Sequence, residues 1–177
     1  MLIGLTGPAG SGKSTCARLM CERGGFIEIA FADPVKDMLG VICSPRMLNG
    51  DKSETIEWIG KSGRYLMQTL GTEWGRGLVS LDLWVKIAEA RIDTILNSEG
   101  YGANVVISDV RFENEADMIR RRGGVILHLK RQGIGLSGHA SEDGIAFDPA
   151  DIEFDNSGDS DVVAAALALC LLKILKS

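Results

Sequence analysis

The chain has no C-x-x-C pair and no cluster of cysteines: Cys16, Cys21, Cys43 and Cys170 are scattered through its 177 residues. Reduced, mostly buried thiols are therefore expected, not a disulfide frame or a zinc site. Long apolar runs are also missing. The most apolar segment, Val162 to Leu172, ends at Lys173 after 11 residues. That is far short of the roughly 20 that cross a bilayer, so it reads as a buried C-terminal helix. No charged stretch precedes an apolar one at the start, where Leu2 to Thr6 is only strand-length. No secretory signal and no membrane attachment are expected, and the expected location is cytoplasmic. Positive charge is short too. With 19 Lys and Arg against 24 Asp and Glu the net charge is −5, which excludes a protein holding a nucleic-acid backbone by charge alone. A small anionic ligand, held by a few placed amides and cations, remains open. What is left is a chain 45% hydrophobic and 24% charged, an ordinary globular composition for a single domain over 1–177.

Short runs rich in Ile and Val alternate with longer helical patterns, and the runs are continuously apolar, as strands covered on both faces are. The fold class this predicts is α/β with a parallel sheet. Strands are expected at Leu2–Thr6, Phe26–Phe31, Asn104–Asp109, Val125–Lys130 and Asp151–Phe154. Helices are expected at Lys13–Arg23, Pro34–Val41, Ser53–Ile59, Gly63–Arg76, Leu81–Asn97, Glu113–Arg121 and Asp159–Lys176. Gly24 and Gly25 stop the first helix, and Gly123 with Gly124 stop the one carrying Arg120, Arg121 and Arg122, because a left-handed residue there satisfies the last carbonyls. Two insertions break the rhythm. Residues 34–97 form a helical excursion, and 132–150, with Gly133, Gly135, Gly138 and Gly144, read as a flap that closes on a ligand.

Gly7-Pro8-Ala9-Gly10-Ser11-Gly12-Lys13-Ser14-Thr15 matches G-x-x-x-x-G-K-[ST], placed after an apolar strand and before a helix as the chemistry requires. Glycines let the backbone curl round an oxyanion and aim amides at phosphates, while the helix N-terminus adds partial positive charge. Lys13 would bridge the β and γ phosphates, Ser14 would coordinate Mg²⁺, and Thr15 would lie near the α-phosphate. The bland alternative is a structural glycine turn. Asp109 ends a buried-type strand at the carboxyl edge, where it would hold a Mg²⁺-bound water, serve as a general base, or simply cap the following helix. Arg111, two residues on, needs an anionic partner if it is crowded there. Asp33 and Lys36 form a similar turn after the second strand, for an acceptor phosphate or for a helix cap and solvent. In the excursion, Tyr65 and Trp74 offer flat faces for a base, Gln68 an amide to read its edge, and Arg64 and Arg76 forks for phosphate.

These segments together identify a resemblance. Gly7 to Thr15, Phe31-Ala32-Asp33-Pro34 with Lys36, Leu70-Gly71-Thr72-Glu73 with Arg76, Asp82 with Trp84-Val85, and Asp109-Val110-Arg111-Phe112-Glu113-Asn114-Glu115 resemble the bacteriophage-type deoxynucleoside monophosphate kinases. His139-Ala140-Ser141-Glu142 and Phe154-Asp155-Asn156-Ser157-Gly158 extend the likeness over nearly the whole chain. The resemblance implies a P-loop NTPase of nucleoside monophosphate kinase type, with a five-stranded parallel sheet flanked by helices, an acceptor-binding insertion at 34–97 and a lid at 132–150. It implies ATP with Mg²⁺ as donor and a deoxynucleoside 5′-monophosphate as acceptor, with no stable nucleic-acid binding, in a monomer or homodimer, in host cytoplasm if phage-encoded. Carried over by position, Ala9, Gly10, Ser11, Gly12, Lys13, Ser14, Thr15, Arg131 and Asn156 serve the donor, Asn156 near its ribose or adenine. Asp33, Lys36, Arg64, Gln68 and Arg76 serve the acceptor; Lys13, Asp109 and Arg111 the transfer; Ser14 and Asp109 the metal. One departure stands out: between Arg131 and Lys173 there is no Lys or Arg, but there are Glu142, Asp143, Asp148, Asp151, Glu153, Asp155, Asp159 and Asp161. The lid therefore brings no cation of its own, and Lys13, Mg²⁺, Arg111 and Arg131 must meet the migrating charge. Two other readings are a dephospho-coenzyme A or phosphomevalonate kinase and a non-catalytic nucleotide-binding module.

Overall fold

A computed structural model describes residues 1–49, 52–100, 102–133 and 145–174. In chain order the elements begin with β1 (Leu2–Thr6), α1 (Lys13–Gly24), β2 (Phe26–Ile29), α2 (Asp33–Leu39) and α3 (Pro45–Asn49). A short hairpin of β3 (Thr55–Ile56) and β4 (Lys61–Ser62) leads into α4 (Gly63–Gln68), which continues as a π-helical stretch over Thr69–Val79. Then come α5 (Leu83–Glu99), β5 (Asn104–Ile107), α6 (Glu113–Arg121), β6 (Val125–Lys130), β7 (Ile152–Asp155) and α7 (Ser160–Ile174). The chain divides into two compact units, one of Met1–Ala30 with Arg91–Ser177 and the other of Phe31–Ala90. The second occupies most of the excursion read from the sequence at 34–97.

The first unit is a five-stranded sheet in the order β2-β5-β1-β6-β7, and every pairing in it is parallel. That bears out the α/β reading. β1 sits in the middle, and its side chains alternate. Ile3 and Leu5 join Cys16 and Met20 of α1 and Val163 and Leu167 of α7 in one core, while Gly4 faces α6. A Cβ on Gly4 would come within 2.7 Å of both Ile119 and Ile126, so the missing side chain is what lets α6 lie close on the strand. Gly25 at φ 64 gives its N–H to the Met20 carbonyl and ends α1. Gly123 at φ 72 and Gly124, bonded to the Ile119 carbonyl at 2.9 Å, end α6. Both stops fall where expected. All four cysteines are free, and burial pushes the Cys16 thiol up to about 11.

The second unit corrects one expectation. Residues 53–59 are not a helix: Thr55 and Ile56 pair antiparallel with Ser62 and Lys61, and Gly60 turns at φ 69 with its N–H on the Ile56 carbonyl. β-branched Thr55, Ile56 and Ile59 disfavour a helix this short, and only Ile56 is buried. α3 is an addition, a single turn opened by Pro45, with the Met47 N–H on the Ser44 carbonyl at 3.0 Å. Among the described residues no helix is long and apolar enough to cross a membrane.

Candidate active site

Residues 7–15 form the turn from β1 into α1. Gly7, Gly10 and Gly12 take φ values of 140, 80 and 91, a region where a side chain is strained. Space excludes one as well. A Cβ on Gly7 would meet the Leu129 carbonyl at 2.5 Å, and one on Gly12 would meet the Asn156 amide at 2.0 Å. The first bond of α1 is from the Cys16 N–H to the Gly12 carbonyl at 2.9 Å, so the amides of Lys13, Ser14 and Thr15 have no carbonyl within the helix to accept them. Lys13 Nζ bends over the loop and donates to the carbonyls of Gly7 at 2.6 Å and Pro8 at 2.9 Å. Beneath it the buried Ser11 hydroxyl finds no partner among the described residues. A backbone cradle at a helix N-terminus, with a flexible ammonium over it, fits a polyphosphate.

The neighbouring strand exits lie along the same sheet edge. The Ser108 N–H reaches the Ile29 carbonyl at 3.2 Å and the Val110 N–H reaches the Leu5 carbonyl at 3.1 Å, so half-buried Asp109 lies where β5 leaves beside β1 and β2. α6 is capped from within: buried Glu115 accepts the N–H groups of Arg111 at 2.8 Å and Phe112 at 3.1 Å. The Arg111 side chain is exposed, which removes the crowding argument for an anionic partner. Arg131, also exposed, follows β6. Asn156, expected near a ribose or adenine, is 5% exposed and donates from Nδ2 to the Ser11 carbonyl at 2.6 Å.

The other predicted residues belong to the helical unit. Asp33 and Lys36 face each other across the first turn of α2 at 3.8 Å. Arg64 and Gln68 are exposed one turn apart on α4. Tyr65 stays exposed with Lys61 Nζ 4.6 Å from its ring centre, and Trp74 lies 6.4 Å from Trp84. Arg76 is half-buried in the π-helical stretch. Trp84 holds that stretch: its Nε1 donates to the Gly71 carbonyl at 2.7 Å, and its ring occupies the space where a Gly75 side chain would be, 2.4 Å from that Cβ.

Residues 51–165 match the family model for deoxynucleotide monophosphate kinase. The chain belongs to the deoxynucleotide monophosphate kinase family. A protein of Acanthamoeba polyphaga mimivirus, named as a candidate deoxynucleotide monophosphate kinase, is 33% identical over 183 aligned positions, which cover 92% of this chain and 86% of that one. Solved structures share the fold at low identity. A sugar kinase from a Janibacter species superposes with a TM-score of 0.53 at 16% identity, covering 98% of this chain and 94% of that one. A Thermus thermophilus protein superposes at 0.52 and 18%, covering 98% and 97%. Membership makes this kinase a transferase acting on nucleotides.

One cluster in this kinase escaped the sequence reading. Asp151, 1% exposed at its side chain, accepts from Arg120 Nε at 3.2 Å and from its second guanidinium nitrogen at 2.6 Å. It also meets His128 Nε2 at 2.9 Å and the Asp148 N–H at 3.0 Å. Burial pushes the Asp151 carboxyl up, but Arg120, the Asp148 amide and His128 outweigh it and hold it below its ordinary 3.8. Arg120 also donates to the Ala146 carbonyl at 3.1 Å, while Glu113 accepts the Ala146 N–H at 2.5 Å. Arg120 is therefore engaged, and Arg122 is paired with Asp93. Residues 134–144 of the expected lid, His139 among them, lie outside the described residues.

Proposed function

We propose that this chain moves the γ-phosphoryl group of ATP onto a deoxynucleoside 5′-monophosphate, with Lys13, Asp109 and Arg111 serving the transfer. The observation that carries the reading is the loop between β1 and α1, whose three left-handed glycines and overhanging Lys13 suit a polyphosphate. An acceptor phosphate oxygen attacks the γ-phosphorus, the bond from that phosphorus to the β–γ bridging oxygen breaks, and ADP leaves. The attacking oxygen already carries charge at neutral pH, so no proton has to be removed, and placement with charge stabilisation does the catalytic work. Lys13 Nζ would exchange the Gly7 and Pro8 carbonyls for phosphate oxygens. Ser14 and Asp109 would hold Mg²⁺, which when bound would supply positive charge to the donor's phosphates.

Gly10, Ser11, Gly12, Ser14 and Thr15 would hold the donor by backbone and hydroxyl, with Ala9 in the turn and Arg131 at the rim. Asp33, Lys36, Arg64, Gln68 and Arg76 would hold the acceptor, and 132–150 would serve as the lid. The test is ADP formation from ATP and Mg²⁺ with each deoxynucleoside monophosphate, with dephospho-coenzyme A and with phosphomevalonate. ADP and a deoxynucleoside diphosphate appearing together support the proposal. ADP from either of the other acceptors alone overturns it. Lys13→Ala is expected to lower turnover about a thousandfold or more with the fold intact by circular dichroism.

A further inference from the structure

We propose that Asn156 is a positioning residue of the phosphate loop, fixing the Ser11–Gly12 peptide so that the Gly12 N–H is aimed at a bound phosphate, and that it does not touch the nucleotide's sugar or base. The proposal rests on the phosphate-binding reading of the loop but not on which acceptor the enzyme uses. Asn156 follows directly on β7. Its own N–H continues the parallel ladder onto the Lys130 carbonyl at 2.7 Å, and the next residue accepts the Gln132 N–H on Ser157 Oγ at 2.8 Å. Its backbone is therefore tied to the end of β6, and the residue after it to the segment that follows β6, giving the side chain a rigid base.

From there the carboxamide reaches the loop across 145 residues of sequence and donates to the Ser11 carbonyl at 2.6 Å in a buried setting. In a planar trans peptide the carbonyl and the following N–H point in opposite directions. Holding the Ser11 oxygen toward Asn156 thus turns the Gly12 N–H away from it. The contact also accounts for residue 12: the Cβ that any other residue carries would lie 2.0 Å from the Asn156 nitrogen. A neutral amide suits the task, because it donates to a carbonyl without adding a charge that competes with Lys13 or repels phosphate. At 5% exposure little of the side chain is left to meet a ligand.

The test compares binding of inorganic tripolyphosphate, which has no sugar or base, with binding of ATP by titration calorimetry. It uses the wild type, Asn156→Ala and Asn156→Leu; the leucine fills the amide's volume without a donor and serves if the alanine variant does not fold. The expected result is an equal loss of affinity for both ligands, about tenfold for one buried hydrogen bond, with the KM for the deoxynucleotide unchanged. A loss confined to ATP would place Asn156 against sugar or base and overturn the proposal. Unchanged affinity for both, with only a lower melting temperature, would reduce the residue to packing and overturn it equally. A wild type that does not bind tripolyphosphate would sink the phosphate-loop reading itself, whereas a wild type that binds it but phosphorylates no deoxynucleotide would sink only the proposed acceptor.

Discussion

Glycine 12 is required twice, by a left-handed backbone and by the amide standing where its side chain would be. Gly12→Ala must therefore either push Asn156 away or unwind the start of α1. It is expected to weaken ATP binding at least tenfold by calorimetry while far-ultraviolet dichroism stays near wild type. Asp151 carries a different demand. Its carboxyl is held below 3.8 in the folded chain, so the charged form adds stability that is complete above the unfolded pKa and drains away as pH falls from about 3.8 through the lowered value. Asp151→Ala takes from partly buried Arg120 its nearest carboxylate, leaving Asp117 at 3.5 Å and Glu113 at 3.8 Å, and takes from His128 and the Asp148 N–H their shared acceptor; it is expected to cost roughly 3 kcal/mol near neutral pH. In denaturant titrations the gap between wild type and variant should narrow below pH 4. The phosphate loop was legible because left-handed backbone admits almost only glycine, which leaves a mark in the sequence. The Asp151 cluster was not, because its partners stand 31 and 23 residues away and any of several nearby carboxylates would have matched Arg120 equally well.

Among the elements, the strands of the main sheet were readable from their unbroken apolar runs, and the helix stops from paired glycines. The π-helical stretch over Thr69–Val79 was not, since an inserted backbone residue alters bonding without altering composition; only Trp84, thirteen positions from its acceptor, shows what holds it. The hairpin at 55–62 failed for the opposite reason: with so short a segment, residue spacing cannot separate a strand from a helical turn. Trp84→Phe removes the bond to the Gly71 carbonyl but keeps most of the packing, and is expected to cost about 1 kcal/mol. Trp84→Ala is expected to cost about 3–5 kcal/mol. If the stretch carrying Arg76 serves the acceptor, both variants raise the KM for the deoxynucleotide and leave ATP affinity unchanged, which steady-state kinetics with each substrate varied in turn will read.

For the molecule as a whole, a ligand that binds only the folded sheet unit adds to its stability. At a hundredfold excess over Kd, ATP with Mg²⁺ is expected to add about 2.7 kcal/mol, a rise of roughly 5–10 °C in melting temperature for 177 residues. Lys13→Ala should lose most of that rise in a calorimetric scan, with the unliganded midpoint almost unmoved. The strand order has its own consequence for biosynthesis. Among the described residues β2 has β5 as its sole neighbour in the sheet, and β1 bonds to β5 and β6, so the first two strands leave the ribosome before the sheet partner they share, which is complete only when Ile107 has emerged. At about 5–20 residues per second β2 waits roughly four to sixteen seconds and β1 about five to twenty. The nascent chain before β5 thus exposes unpaired strand edges of the kind chaperones cover, and a pause in translation upstream of β5 would lengthen their exposure to aggregation.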